Sequence, residues 1–73
     1  MPINVGDVLK GYCGGHFGRD SYEDKTCIAT GFYAGQQYAV FHSDDFSGGW
    51  FSTQSGDDLK ALEEYRELKL EEL

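Results

Sequence analysis

The fold is decided by residues 26–42, which read TCIATGFYAGQQYAVFH. Residues 26–33 and 37–42 are rich in β-branched and aromatic side chains, and this composition favours strands. Ala34-Gly35-Gln36 lies between them and has the small and glycine residues of a tight turn. The segment therefore predicts an antiparallel hairpin.

Two shorter segments are predicted to widen this hairpin into a sheet. A first strand is predicted within residues 5–10, VGDVLK, with Val5 and Leu9 on one face and Val8 on the other. A last strand is predicted at residues 50–53, WFST, after a polar stretch that has the composition of a loop.

The C-terminal residues predict one helix over about residues 57–70. Ser55 followed three residues later by Asp58 resembles a capping box, and Asp57 is an equal candidate for the N-cap. The helix therefore begins soon after the last strand.

The docking face of this helix follows from a step of about 100° per residue. This spacing places three apolar side chains on one face: Leu59, Leu62 and Tyr65. Arg66 and Lys69 project from the same face, so docking is expected to end near Leu68.

The order of these elements predicts an α+β fold in a single domain, residues 1–73. With three to four short strands, the sheet is either a small antiparallel β-meander or an SH3-like barrel, followed by one C-terminal helix. A chain of 73 residues builds only a thin core, and its five Tyr, five Phe and one Trp supply much of the area that can be buried.

Composition and charge exclude several classes of function. The chain is 40% hydrophobic and 26% charged, which is typical of a globular protein. No apolar run approaches the roughly 20 residues of a membrane span, and the first residues do not resemble a signal peptide, so the protein is expected to be cytoplasmic, with no membrane contact. A net charge of −7 argues against direct binding to nucleic acid.

The glycine-rich loop, residues 11–25, contains the most distinctive motif. It follows the pattern (Tyr/Phe)-Cys-Gly-Gly-x-Phe-Gly-Arg-Asp-x-Tyr, which is matched by Tyr12, Cys13, Gly14, Gly15, Phe17, Gly18, Arg19, Asp20 and Tyr22. This segment resembles a family of small uncharacterised proteins from tailed bacteriophages and actinobacterial genomes, and the similarity is strongest over residues 8–31. The resemblance implies a phage-type origin, a shared fold and a bacterial host cytoplasm. It implies no catalytic residue.

Two interpretations of this loop remain open. Arg19 and Asp20 could form an ion pair that orders the loop, or Arg19 could offer its planar guanidinium to a carboxylate or phosphate of a partner. The second interpretation makes Arg19, Asp20 and Tyr22 contact residues, together with Trp50. The loop lacks the Gly-Lys-Ser/Thr sequence of a phosphate-binding P-loop.

A metal site is the alternative, and it would use the loop. Cys13, His16, Cys27 and His42 are all the Cys and His residues of the chain, and two of each can in principle hold zinc. Cys27 and His42 lack the spacing of a zinc knuckle, so we expect reduced thiols, no metal and no other cofactor. A Cys13 nucleophile could use His16 or His42 as its base, but the sequence indicates no oxyanion hole beyond glycine amides, so no enzymatic activity is expected.

The helix carries a row of acidic residues opposite its docking face. Glu63, Glu67 and Glu71 are spaced four residues apart, and like charges at this spacing weaken a helix by about 0.2–0.5 kcal/mol per pair. They either form an ordinary solvated face or bind a basic surface. The leading hypothesis is a small acidic binding module that contacts a protein, and a basic host protein is one candidate. A metal- or ligand-binding domain is the alternative.

Overall fold

The hairpin, the two flanking strands and the helix are all present in the structure, a computed structural model that describes residues 2–14, 17, 22–43 and 49–72. The elements are β1 (Val8–Leu9), β2 (Lys25–Tyr33), β3 (Gln36–Ser43), β4 (Trp50–Ser55) and α1 (Gly56–Glu72). Each overlaps the segment that the sequence predicts, and α1 begins directly after β4 without a loop.

The sheet is a meander in the order β1-β2-β3-β4, and every neighbouring pair is antiparallel. The predicted meander with a C-terminal helix is thus confirmed. The SH3-like barrel is wrong, because the sheet does not close: β1 pairs with β2 and does not meet β4. The physical reason is the length of β1, whose two residues cannot bridge the ends of a sheet.

The hairpin turn consists of two residues, so Gln36 belongs to β3 instead of the turn. Tyr33 pairs with Gln36, and the residues between them have positive φ angles, 53° at Ala34 and 80° at Gly35. Two positive φ angles define the type I′ turn, whose twist matches that of the strands. Ala34 is strained there, since its Cβ disfavours the left-handed region.

One face of the sheet carries the core. Side chains alternate between the faces of a strand, and Cys27, Ala39 and Phe41 point toward the helix and are buried. The complete buried apolar set comprises Ile3, Leu9, Phe17, Cys27, Ala39, Phe41, Leu59 and Leu62. Residues of opposite parity lie on the other face, which no described element covers.

The helix docks on the covered face as the sequence predicts. Leu59 and Leu62 are buried, and Tyr65 packs against the core while its hydroxyl donates to the Lys10 carbonyl at 2.6 Å. Leu68 and Leu70 are exposed. Within the described residues, no helix is long and apolar enough to cross a membrane.

Arg66 lies on the same helix face as Leu59 and Leu62, as the spacing predicts, and it is buried there. Its side chain is only 10% exposed, and Nη1 donates to the Pro2 carbonyl at 2.9 Å and to Asp7 Oδ2 at 2.6 Å. Nη2 donates to Glu67 Oε1 at 2.7 Å. The guanidinium stays buried because oxygen atoms of the N-terminal segment replace its water.

Candidate functional site

The glycine-rich loop is attached to the sheet by Lys25, the first residue of β2. The Lys25 side chain is completely buried, and Nζ donates to the Tyr12 carbonyl at 2.6 Å and to the Glu23 carbonyl at 2.8 Å. A buried ammonium is tolerated where hydrogen bonds replace its hydration. Because Tyr12 and Glu23 lie near the two ends of the loop, one side chain holds both ends.

Asp24 closes the base of the same loop from the solvent side. Its Oδ1 accepts from the Gly11 amide at 2.9 Å, and its Oδ2 accepts from Lys10 Nζ at 3.1 Å. These bonds, first the Gly11 amide and then the Lys10 ammonium, hold the pKa of Asp24 below its usual range. The carboxylate therefore contributes to loop order at neutral pH.

Aromatic rings dock the loop on the core. Phe17 is buried, and its ring meets Phe41 and Trp50 edge-on, with centroids 5.6 and 5.8 Å away. Tyr12 packs between Phe17 at 5.6 Å and Tyr65 of the helix at 4.6 Å. Edge-to-face pairs at these distances are favourable. The described part of the loop is therefore continuous with the core.

Of the four predicted contact residues near the loop, the structure describes Tyr22 and Trp50. Tyr22 is 80% exposed and available for contact, whereas Trp50 is half-buried and packs against the core through Phe17. Arg19 and Asp20 lie outside the described residues, so both interpretations of that pair remain predictions.

The predicted metal ligands are not brought together where the structure describes them. Cys13 is exposed and Cys27 is buried, and burial raises the pKa of the Cys27 thiol. Cys27 pairs with Phe41 on the covered face, so His42, the next residue of β3, points to the opposite face. Across the described residues, no group of three Cys, His, Asp or Glu side chains is placed to bind a metal; His16 lies outside them.

The acidic row on the helix divides into two kinds of environment. Glu67 is half-buried and bonded to Arg66, and Glu63 is also half-buried. Glu71 is exposed, and a helical step of 100° places it in line with Asp57, Glu64 and Leu68 on the outermost face. We call these four residues the outer helix face. Leu68 is 60% exposed there.

The uncovered face of the sheet carries apolar and aromatic side chains. The register aligns Val8, Thr26, His42 and Phe51 across all four strands, and the Phe51 side chain is 66% exposed. The His42 ring lies 5.0 Å from the Phe51 ring. Sequence reasoning missed this surface, although the adjacent Trp50 and Phe51 carried a signal: neighbours in a strand face opposite sides, so one of the two rings must point away from the core.

At the hairpin end, this face contains an open groove of about 430 Å³. Its lining residues are Tyr33, Ala34, Gln36, Tyr38, Thr53 and Ser55. The Tyr38 ring lies over Gly31 on β2, where an added Cβ would come within 2.5 Å of the Tyr38 hydroxyl. The absence of a side chain at Gly31 therefore lets Tyr38 lie close to the sheet.

Comparison of the chain with known protein families, with curated proteins and with solved structures finds no match in any of the three. The similarity of residues 8–31 to small phage proteins thus stays a prediction.

Proposed function

We propose that the chain is a small acidic binding module without enzymatic activity, and that its partner is a protein with a basic surface. The outer helix face carries this proposal. Asp57, Glu64 and Glu71 are exposed on it, and Leu68 is 60% exposed among them. Leu68 thus adds apolar area among carboxylates that a basic surface would approach.

Charge and apolar area have different roles in such a contact. A net charge of −7 attracts a basic surface over distance and speeds encounter, whereas it repels acidic proteins and nucleic acid. Leu68 then supplies apolar area that loses water on contact, as at the centre of a protein interface. Glu63 and Glu67, on the flank of this face, would lie at the rim.

The environment of Cys27 favours a binding role over catalysis. The Cys27 thiol is buried in the core, and burial raises the pKa of Cys27, which disfavours the reactive thiolate. If the similarity to small phage proteins reflects common origin, the basic partner is a host protein and the contact takes place in the bacterial cytoplasm.

The test compares the parent with three variants, all immobilised at equal density and exposed to bacterial lysate. Glu64→Gln with Glu71→Gln removes two charges, while Glu64→Asp with Glu71→Asp keeps both charges and changes only side-chain length. Leu68→Ser removes the apolar contact. Captured proteins are quantified by mass spectrometry at about 50 mM and about 300 mM salt, where the screening lengths differ by more than twofold.

We expect a basic protein to be captured by the parent and by the Asp form, and about tenfold less by the Gln form at low salt. Its capture by the parent should fall at high salt, and capture by Leu68→Ser should fall at both. Equal capture of the same proteins by the Gln form and the parent at low salt would contradict the proposal.

A further inference from the structure

Strand β4 is an edge of the sheet. Two hydrogen bonds made by Cys27 on β2 show which backbone groups of β4 point outward. The Cys27 amide donates to Asp7 and the Cys27 carbonyl accepts from Gly6, so the backbone of Cys27 points away from β3. Antiparallel strands alternate between inward and outward pairs. Carried from Cys27 through Phe41 to β4, this alternation points the N–H and C=O groups of Phe51 and Thr53 and the N–H group of Ser55 away from β3. The Ser55 carbonyl begins the hydrogen bonds of α1.

No described residue pairs with this edge. Outside the sheet ladders and the helix, none of the backbone hydrogen bonds of the described residues involves Phe51, Thr53 or Ser55. Strand β4 reads WFSTQS and has no charge and no proline, and its pairing with β3 contains no bulge. Charged residues, proline and bulges are the features by which natural edge strands avoid pairing with another chain, and β4 has none of them.

The other free edge, on β2, is protected in part. Its first residues are paired with β1, and a bulge interrupts the ladder between Cys27 and Ala29. Beyond the bulge, the same alternation leaves only Thr30 and Phe32 with outward backbone groups. Strand β4 is therefore the edge at which an added strand gains more hydrogen bonds.

We propose that a second copy of this chain pairs with the β4 edge, antiparallel and about a two-fold axis beside Thr53. In this register Thr53 faces Thr53 of the second copy, and Phe51 faces Ser55 of the second copy. All three outward residues then face a residue of the second copy, which gives about four hydrogen bonds, because the Ser55 carbonyl already accepts the first bond of α1. The two sheets become one sheet of eight strands with both helices on the same side.

The groove at the hairpin end supports this register. Paired residues share a face of the sheet, so the exposed Phe51 ring would lie over the small Ser55 side chain of the second copy. Ser55 and Thr53 form the β4 wall of the groove of about 430 Å³, and Tyr38 lies beside Ser55 in the register. Each copy thus inserts its Phe51 ring into the groove of the other.

The interface is small and acts against charge repulsion. Two aromatic rings bury about 150–250 Å² each, and stable interfaces bury roughly 1,200–2,000 Å² in total. Both copies carry a net charge of −7. The dimer is therefore concentration-dependent, with a Kd between about 1 μM and about 1 mM, and it strengthens with salt as the repulsion is screened.

The experiment measures sedimentation from about 1 μM to about 1 mM at low salt and in about 0.5 M salt, a range that spans this Kd. Thr53→Pro removes one outward N–H at the centre of the β4 edge and leaves the bonds to β3 in place. Thr30→Pro is the matched control, because it makes the same change at an outward position of the β2 edge. Amide exchange of the parent is followed over the same concentrations.

We expect the parent and Thr30→Pro to dimerise, more strongly in salt, and Thr53→Pro to stay monomeric. In the parent, the amides of Phe51, Thr53 and Ser55 should become protected as concentration rises, while those of Thr30 and Phe32 do not change. A parent that is monomeric at about 1 mM in both salts overturns the proposal, as does a dimer in which these three amides stay unprotected. Protection of those amides only when another protein is added also overturns it, and assigns the edge to that partner.

Discussion

Replacing Lys25 by Met tests whether one buried cation orders the glycine-rich loop. Methionine has a similar length and keeps the apolar packing, but it has no ammonium group to donate to the carbonyls of Tyr12 and Glu23, which lie 2.6 and 2.8 Å from Nζ. The matched control is Lys10→Met. Lys10 is largely exposed and bonds Asp24 at 3.1 Å in a surface ion pair.

The expected loss is the difference between two opposing effects. Each hydrogen bond from a charged donor contributes about 1.5–3 kcal/mol, so losing two costs roughly 3–6 kcal/mol. Against this, the variant no longer buries a charge, whose desolvation costs several kcal/mol. Water also reaches the carbonyl of the exposed Glu23. We therefore expect a net destabilisation of about 1–3 kcal/mol, compared with less than about 1 kcal/mol for Lys10→Met.

The assay is urea unfolding combined with amide exchange. With a urea slope near 1 kcal/mol per M, the midpoint of Lys25→Met should fall by about 1–3 M. Exchange should rise first at residues 11–14 and 22–24, while helix amides near Leu62 stay protected. If Lys25→Met is no less stable than Lys10→Met, or if the loop exchanges as it does in the parent, the two hydrogen bonds do not order the loop and the reasoning is refuted.

Four further outcomes can be checked with other variants and with thiol labelling. Leu62→Ala should lose about 2–5 kcal/mol in urea unfolding, because its side chain is fully buried; a loss below about 0.5 kcal/mol would show that the helix does not dock there. Ala34→Asn should stabilise the fold by a few tenths of a kcal/mol to about 1 kcal/mol, because Asn tolerates positive φ in a type I′ turn. The pKa of Asp24 is lowered, so its contribution to stability is present at pH values above the ordinary carboxyl pKa and is lost as pH falls through the pKa of the folded state. Asp24→Asn should be less stable at neutral pH, and its stability should depend less on pH below about pH 4. A thiol reagent should label Cys13 at once and Cys27 only on unfolding, and because burial raises the pKa of Cys27, stability should fall above about pH 9.

The hairpin and the helix could be predicted because local signals and tertiary packing agree there. Strand composition on both sides of Ala34-Gly35 and the spacing of Leu59 and Leu62 each point to the element that forms. The choice between a meander and a barrel could not be made from the sequence, because it depends on the length of β1. Val5 and Leu9 suggested a longer strand than the two residues that pair with β2.

The burial of Lys25 and Arg66 could not be predicted from the sequence, because a charged side chain is normally expected in solvent. The spacing places Arg66 on the docking face but does not show what neutralises its charge there, and Lys25 begins a strand beside Glu23 and Asp24, which suggests a surface ion pair. In the structure each contacts main-chain oxygen atoms, of Pro2 and of Tyr12 respectively. The sequence does not show which main-chain carbonyl groups of an irregular segment lack a hydrogen-bond donor, so these contacts could not be predicted.

The candidate site was predicted in part. The acidic helix residues lie where the spacing put them, but which of them are exposed depends on contacts: Glu67 bonds Arg66, whereas Glu71 is open to solvent. The sequence predicts Trp50 as a contact residue. Strand parity turns it toward Phe17 and turns Phe51 outward. Whether Trp50 or Phe51 is the exposed ring therefore depends on the strand register, which cannot be predicted from composition.

The two buried cations and the free surfaces have a common origin in the size of the chain. Residues 2–7 and the described part of the glycine-rich loop have almost no strand ladder to satisfy their backbone, and donors from Arg66 and Lys25 reach carbonyls in each. These donors extend from β2 and α1 into the covered side of the sheet, so the irregular segments gather there. A single helix and two irregular segments cover one face of four strands, and no described element remains for the other face or for β4. The core therefore lies on one side of the sheet, and Phe51, Tyr38 and the outward edge of β4 on the other side, like the outer helix face, can contact other molecules without cost to the core.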